Sequence, residues 1–273
     1  MYYQYYNPVI KKYSSIKTTN MTDYIFLFFA SLIANTLSAF AGGGAGLVQL
    51  PVLIVMGLPF SIALATHKTA TVALGVGALY RYISMKDASI NLKFGLHILA
   101  CGLPGTILGA YAIIQIPEYI AQTTLGILTI ALGFYGLFKK EIGQTKIEKH
   151  RRITGHIIGG MILFLIGFFN GSLTSGSGLF VTMWLIIWYG LDYKSAVMYT
   201  LILVGLAWNG AGAISLHLMH KPIYWPWLPA LLLGSLLGGY IGAHLGMLKG
   251  NKWIKYVFTS ITFISGAMLL LKS

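Results

Sequence analysis

Three short stretches carry the side chains and backbone that could do chemistry in this chain. Two are glycine-rich breaks, Gly42-Gly43-Gly44-Ala45-Gly46 and Thr174-Ser175-Gly176-Ser177-Gly178, each interrupting apolar sequence. The third is Ala65-Thr66-His67-Lys68-Thr69-Ala70-Thr71, which sets a lysine inside an apolar segment. A lysine within a membrane span costs ~2.5–3.5 kcal/mol at the centre on insertion scales, so it faces a cavity or a partner, or snorkels to the interface. All six acidic residues, Asp23, Asp87, Glu118, Glu141, Glu148 and Asp192, sit near segment ends or in loops. With no carboxylate inside a span to pair with Lys68, a bound anion could serve as its counter-charge.

The breaks point the same way. After the first, Leu47 to Gly57 is 11 residues, about 16 Å of helix and roughly half of a ~30 Å hydrocarbon core. Each break therefore opens a half-helix whose amino terminus presents unsatisfied N–H groups and the positive end of the helix dipole, an anion site. Backbone outside a helix survives in a membrane only where it is buried in protein or lines a cavity. The expected donors are the backbone at Gly43, Gly44, Gly46, Ser175, Gly176, Ser177 and Gly178, with Lys68 supplying the charge. Thr66, Thr69, Asn170, Thr174 and Asn209 would shape the polar cavity. His67 reads equally as a proton carrier or as a packed polar residue. Each break alone reads rather as a tight crossing of helices through small residues, and it is the matched pair that points to a site.

The elements that must position these residues are apolar segments at about 24–41, 47–57, 61–82, 94–114 and 118–138, and again at about 156–170, 178–189, 195–217, 224–246 and 253–272. An offset of about 132–133 residues sets Gly44 on Gly176, Gly46 on Gly178, Ala63 on Ala196, Gly105 on Gly238, Gly109 on Gly242 and Ala110 on Ala243. The expected fold is an all-α polytopic membrane protein of two internal repeats, 21–138 and 153–273, each of about five helical segments and joined by a basic cytoplasmic linker, 139–152. With the linker in the cytoplasm, Arg81, Lys86, Lys93, Lys194, Lys249, Lys252 and Lys255 fall on the same side, as the positive-inside rule requires. Five segments per half then make the repeats inverted. An alternative count merges the first two segments of each half into one hairpin and gives parallel repeats with a cytoplasmic amino terminus, which Lys11, Lys12 and Lys17 favour. Paired breaks at corresponding positions of two halves are a sequence pointer to a transporter's substrate site.

Composition sets the class. The chain is 56% hydrophobic and 9% charged, with mean hydropathy +0.75, against about 25% charged residues in a soluble domain. The net charge of +13 lies mostly in short segments between apolar runs, which argues against nucleic-acid binding. The single cysteine, Cys101, excludes an intrachain disulfide and reads as a packing residue. Residues 1–20 contain no apolar run and are expected to be a disordered tail rather than a signal peptide. Gly234, Gly238 and Gly242 could serve internal packing or a homodimer. An enzyme is not expected, because no HExxH-type motif occurs and no span holds a carboxylate base; no metal or cofactor is called for.

In these motifs the chain resembles the sulfite exporter TauE/SafE family of membrane transporters. Gly42-Gly43-Gly44-Ala45-Gly46, Pro51, Gly57 and Ala63 are similar to its first-half pattern, and Thr66-His67-Lys68 to its Thr-Asn-Lys stretch, with histidine in place of asparagine. Gly167-Phe168-Phe169-Asn170-Gly171 followed by Gly176-Ser177-Gly178 resembles its Gly-Phe-Tyr-Asp-Gly…Gly-Thr-Gly signature, with Asn170 where the family often has aspartate. The resemblance, over residues 22–272, implies a secondary transporter in the cell membrane for a small sulfur-containing anion such as sulfite, a sulfonate or sulfoacetate, working by alternating access. If that aspartate carries protons in relatives, a coupling proton here needs another group, such as His67, or coupling is absent. A passive anion channel and a non-transporting membrane scaffold are the alternatives.

Overall fold

The structure, a computed structural model, describes residues 20–84, 90–112, 118–138, 142–147, 149–174 and 176–272. The tail expected at 1–20 lies outside them except for Asn20. Asn20 ends that tail as a helix cap: its N–H donates to Asp23 Oδ2 at 3.0 Å, which fixes the start of α1, Met21–Ala41. The chain continues through α2 (Ala45–Val55), α3 (Phe60–Ile83), α4 (Leu92–Ala112) and α5 (Glu118–Phe138). Then come α6 (Ile153–Ser172), α7 (Ser177–Ile187) and α8 (Tyr193–Tyr199). The last runs into a π-helix at Thr200–Trp208 and on into α9 (Asn209–Leu218). A 3-10 turn, Trp225–Trp227, leads into α10 (Leu228–Lys249), followed by α11 (Asn251–Lys272).

Among the described residues, six helical stretches are long and apolar enough to cross a membrane: α1, α3, α4, α6, the α8–π–α9 run and α10 with its 3-10 turn. The chain is a multi-pass membrane protein. Helices α2 and α7, 11 residues each, are too short to cross. Helix α11 has the length, 22 residues, but carries Lys252 and Lys255 in its first turns. The apolar faces fit the setting: Phe26, Phe29, Ile33 and Leu37 on α1 and Ile157, Met161 and Leu165 on α6 are exposed at helical spacing, as lipid-facing positions are.

Close packing without bulky side chains sets the directions of the helices. A methyl added at Gly234, Gly238 or Gly242 of α10 would meet, in that order, the carbonyls of Phe28, Leu32 and Thr36 of α1. Both sequences rise together, so α1 and α10 run parallel, and these glycines face α1 within the chain. On the other side, Gly105 and Gly109 of α4 sit against the carbonyls of Phe164 and Phe168 of α6, again in parallel. Helix α3 runs parallel to α10, through Leu74 against Gly239 and Arg81 bonded to His244. It runs antiparallel to the α8–π–α9 stretch, where Gly75 meets Gly205 and Lys68 meets Gly212. Small residues let backbones approach in this way where lipid supplies no hydrophobic drive between helices. Gly105→Ala drives its methyl into the Phe164 carbonyl, which no rotamer can move. Overpacking of this kind costs about 1–3 kcal/mol, and the expected outcome is a lower melting temperature of the detergent-solubilised protein.

The described part of the segment between α5 and α6 is tied down. Ile147 and Lys149 donate backbone N–H bonds to Gly190 and Tyr189 at 2.8 and 3.1 Å, and Tyr193 N–H donates to Gly143 at 2.9 Å.

Candidate functional site

The two glycine breaks meet. At the first, α1 ends in three successive positive φ angles: Gly42 at 85°, Gly43 at 147° and Gly44 at 100°. The N–H groups of Gly42 and Gly43 both return to the Ser38 carbonyl at 2.8 Å, and Gly44 then caps the amino terminus of α2 in the left-handed region. Gly176 does the same for α7 at φ 78°. Thr174 also has a positive φ, 63°, an outlier for a β-branched residue of the kind that clusters at functional sites. Its N–H and hydroxyl both bond back to the Asn170 carbonyl, at 3.1 and 3.0 Å. A Cβ on Gly43 would sit 2.5 Å from the carbonyl carbon of Gly178, so backbone touches backbone where the half-helices begin. Thr182 Oγ1, on α7, donates to the Gly42 carbonyl at 2.7 Å.

Beside this contact lies a cavity of ≈ 40 Å³, room for one small ion or a few waters at roughly 10–15 Å³ for each water-sized occupant. The first break contributes Ser38, Gly43, Gly44, Ala45 and Gly46 to its wall, and α3 contributes His67, Thr71 and Leu74. The second break adds Asn170, Thr174, Ser177 and Gly178. The π-helix and the start of α9 close it with Thr200, Leu201, Val204, Gly205 and Asn209. A π-helix closes i→i+5 hydrogen bonds in place of i→i+4 and is found frequently at functional sites.

Lys68 is fully buried and stands behind the wall. Its Nζ donates to the Asn170 carbonyl at 2.7 Å and to Asn170 Oδ1 at 3.3 Å. Asn170 lies in the last turn of α6, where the carbonyls carry the negative end of the helix dipole. The Asn170 amide then donates to Ser177 Oγ at 2.9 Å. Asn209 donates to Thr71 Oγ1 at 3.1 Å. The lysine amine is thereby tied through one asparagine to the hydroxyl at the amino terminus of α7. Gly212 makes room for the lysine: a Cβ there would lie 3.1 Å from Nζ.

Of the residues singled out in the sequence, Gly43, Gly44, Gly46, His67, Asn170, Thr174, Ser177, Gly178 and Asn209 are brought together around the cavity. Thr66 and Thr69 are not among its lining. Thr66 Oγ1 donates to the Ile62 carbonyl at 2.7 Å and accepts from Tyr224 N–H at 2.9 Å, and Thr69 bonds the Ala65 carbonyl at 2.8 Å. Gly176 serves as the cap of α7 and is likewise off the wall. Ser175 lies outside the described residues. Sequence reasoning missed Ser38, Thr71 and Thr200. Ser38 stands one turn before Gly42 and Thr71 one turn after His67, and that i, i+4 spacing was the available signal. Among the described residues no group of three His, Cys, Asp or Glu side chains is placed to hold a metal ion.

Crossing helices packed around two broken ones, with a polar cavity where the breaks meet, belong to the class of multi-pass membrane transporters. The chain is a member of the sulfite exporter TauE/SafE family, whose profile matches residues 27–269. It is 28% identical to a probable membrane transporter protein of Sinorhizobium over 90% of this chain and 91% of that one. It is 25% identical to a probable membrane transporter protein of Haemophilus influenzae, over 89% and 93% of the two chains. It is also 26% identical to the probable membrane transporter protein YfcA of Escherichia coli K12, over 90% and 89%. No solved structure matches.

Proposed function

We propose that the chain is a secondary transporter that carries a small sulfur-containing anion, of the sulfite, sulfonate or sulfoacetate type, by alternating access between two inverted repeats. The observation that carries this reading is the meeting of two half-helix amino termini at one buried polar cavity with Lys68 behind it. The first residues of both half-helices, Ala45, Gly46, Ser177 and Gly178, line the cavity, and a helix amino terminus carries the positive dipole end. The N–H groups of Gly43 and Ser177, expected among the donors, are instead bonded to the carbonyls of Ser38 and Thr174. No carboxylate is among the lining residues.

The helix pairings support the repeats, which comprise 21–138 and 153–273 about the 139–152 linker. Gly105 meets Phe164 and Gly238 meets Leu32; Gly109 meets Phe168 and Gly242 meets Thr36. Each member of one pair is displaced from its counterpart by the same offset of about 132–133 residues. The directions agree with inversion: α1, α3 and α10 run one way, and α4, α6 and α8–π–α9 the other. Helices α1 and α6, first in their repeats, are therefore opposed. Rocking of one repeat against the other would open the cavity to each side in turn.

The test is a melting series of the purified protein against sulfite, sulfate, thiosulfate, sulfoacetate and small carboxylates. A ligand at 100 times its dissociation constant stabilises a two-state protein by about 2.7 kcal/mol. A rise in melting temperature confined to sulfur oxyanions is the expected result. A flat response to every anion, with no uptake into proteoliposomes, removes the reading.

A further inference from the structure

The cavity histidine is held by a hydrogen-bond chain whose direction can be worked out. His67 Nδ1 lies 2.6 Å from Gln49 Oε1. Gln49 Nε2 donates to Ser31 Oγ at 2.9 Å, and Ser31 Oγ donates to the Leu231 carbonyl at 2.8 Å. Asn35 Nδ2 reaches the same hydroxyl at 3.2 Å. The carbonyl can only accept, and Ser31 has one hydrogen to give. Ser235 Oγ, 3.1 Å away, is a second acceptor within reach; with the hydrogen given to Leu231 or to Ser235, Ser31 accepts from Gln49, and the Gln49 oxygen faces His67. Nδ1 therefore carries the ring hydrogen, and Nε2 is the nitrogen with a free lone pair. Nε2 has no hydrogen-bond partner among the described residues, and His67 is part of the cavity wall. All members of this chain are buried.

We propose that His67 is the proton-binding group of the cavity, taking up one proton at Nε2 when a doubly charged oxyanion enters. This rests on the anion-carrier reading above and names the charge state it transports. Lys68 supplies one positive charge next to the site. A dianion would leave one negative charge unbalanced in a buried cavity, and an imidazolium at position 67 cancels it. Apart from Lys68, the elements packed around His67 offer no competing group. Gln49 faces it from α2, Ser31, Asn35 and Ser38 stand on α1, Asn170, Thr174 and Ser177 at the second break, and Thr200 and Asn209 beyond them. None of these titrates. Among the lining and its immediate supports, Lys68 is the one other charged residue, and its Nζ is turned to Asn170.

The test is calorimetric binding of sulfate and of sulfoacetate, whose charges are constant across neutral pH, to the full-length purified protein in buffers of different ionisation heat. The expected result is close to one proton taken up per dianion bound, with affinity falling about tenfold per pH unit once the free histidine is neutral. His67→Asn and His67→Gln should still bind the anion, with no proton uptake and no such slope. Nitrogen-15 spectra of histidine-labelled wild type should show Nε2 becoming protonated on adding sulfate, a readout that stands if neither variant folds. Anion binding without proton uptake in wild type, or uptake that persists in the variants, overturns this inference and leaves the carrier standing. No binding of any anion overturns the carrier, and this inference with it.

Discussion

Gly43→Ala is expected to abolish transport, lowering anion uptake by at least about a hundredfold in proteoliposomes. Two costs fall on one methyl. The backbone at Gly43 has φ 147°, where an L-residue is strained. The new Cβ would also stand 2.5 Å from the Gly178 carbonyl carbon and the Leu179 nitrogen, and backbone on a packed helix cannot swing aside as a side chain can. Gly57→Ala is the control. It too has a positive φ, 106°, but nothing lies within 4 Å of its Cβ position. It should therefore lose only the ~1–2 kcal/mol of a left-handed residue and keep its transport rate. Gly178→Ala, whose Cβ would lie 2.9 Å from Gly43 Cα, should resemble Gly43→Ala. Size-exclusion profiles of each variant separate misfolding from a folded but inactive protein. Wild-type uptake by Gly43→Ala would mean that the two breaks do not stay in contact in the working protein.

Lys68→Met is the second large effect. The carbonyl that Lys68 holds, that of Asn170, keeps its bonds from Thr174 N–H and Oγ1 at 3.1 and 3.0 Å, so the end of α6 remains capped and the fold should stand. What goes is the one lysine, among the described residues, beside the cavity. At an effective dielectric of about 20, a unit charge ~4 Å from an anion is worth ~4 kcal/mol, and part of that is offset by not having to bury the cation in the empty state. A loss of one to two orders of magnitude in anion affinity is expected, read as the disappearance of ligand-induced stabilisation with the unliganded melting temperature changed little. Arginine is no rescue, because Gly212 is packed against the lysine stem and leaves no space for a guanidinium. Undiminished anion binding in Lys68→Met would remove Lys68 from the site.

The parts of this architecture that were legible in the sequence are those written in local spacing. The half-helices expected after the breaks, near 47–57 and 178–189, are α2 at Ala45–Val55 and α7 at Ser177–Ile187, because glycine runs and apolar lengths are local signals. The π-helix was not legible. Thr200–Trp208 is apolar throughout apart from Thr200, and a run without polar residues has no phase from which 3.6 residues per turn could be told from a wider turn. Thr66 and Thr69 looked like cavity residues because they flank Lys68. Helical geometry turns them elsewhere, and each spends its hydroxyl on the carbonyl four residues back. Thr71 occupies the face that Thr69 was expected to hold. Gln49 was passed over, although an amide alone on an 11-residue apolar half-helix must find a buried partner. That partner, His67, is 18 residues away, and spacing along the chain does not encode the meeting.

The contact of Gly43 with Gly178 bears on how fast the protein can work. A seal made of side chains opens when a rotamer flips, in picoseconds to nanoseconds. A seal made of main chain contains no torsion that can open it alone, so two helices must separate as bodies, and collective motions of that kind take microseconds to milliseconds. On the alternating-access reading proposed above, throughput would be set by a mechanical cycle rather than by diffusion along a pore. Uptake should rise steeply with temperature, and planar bilayers should carry no unitary current steps.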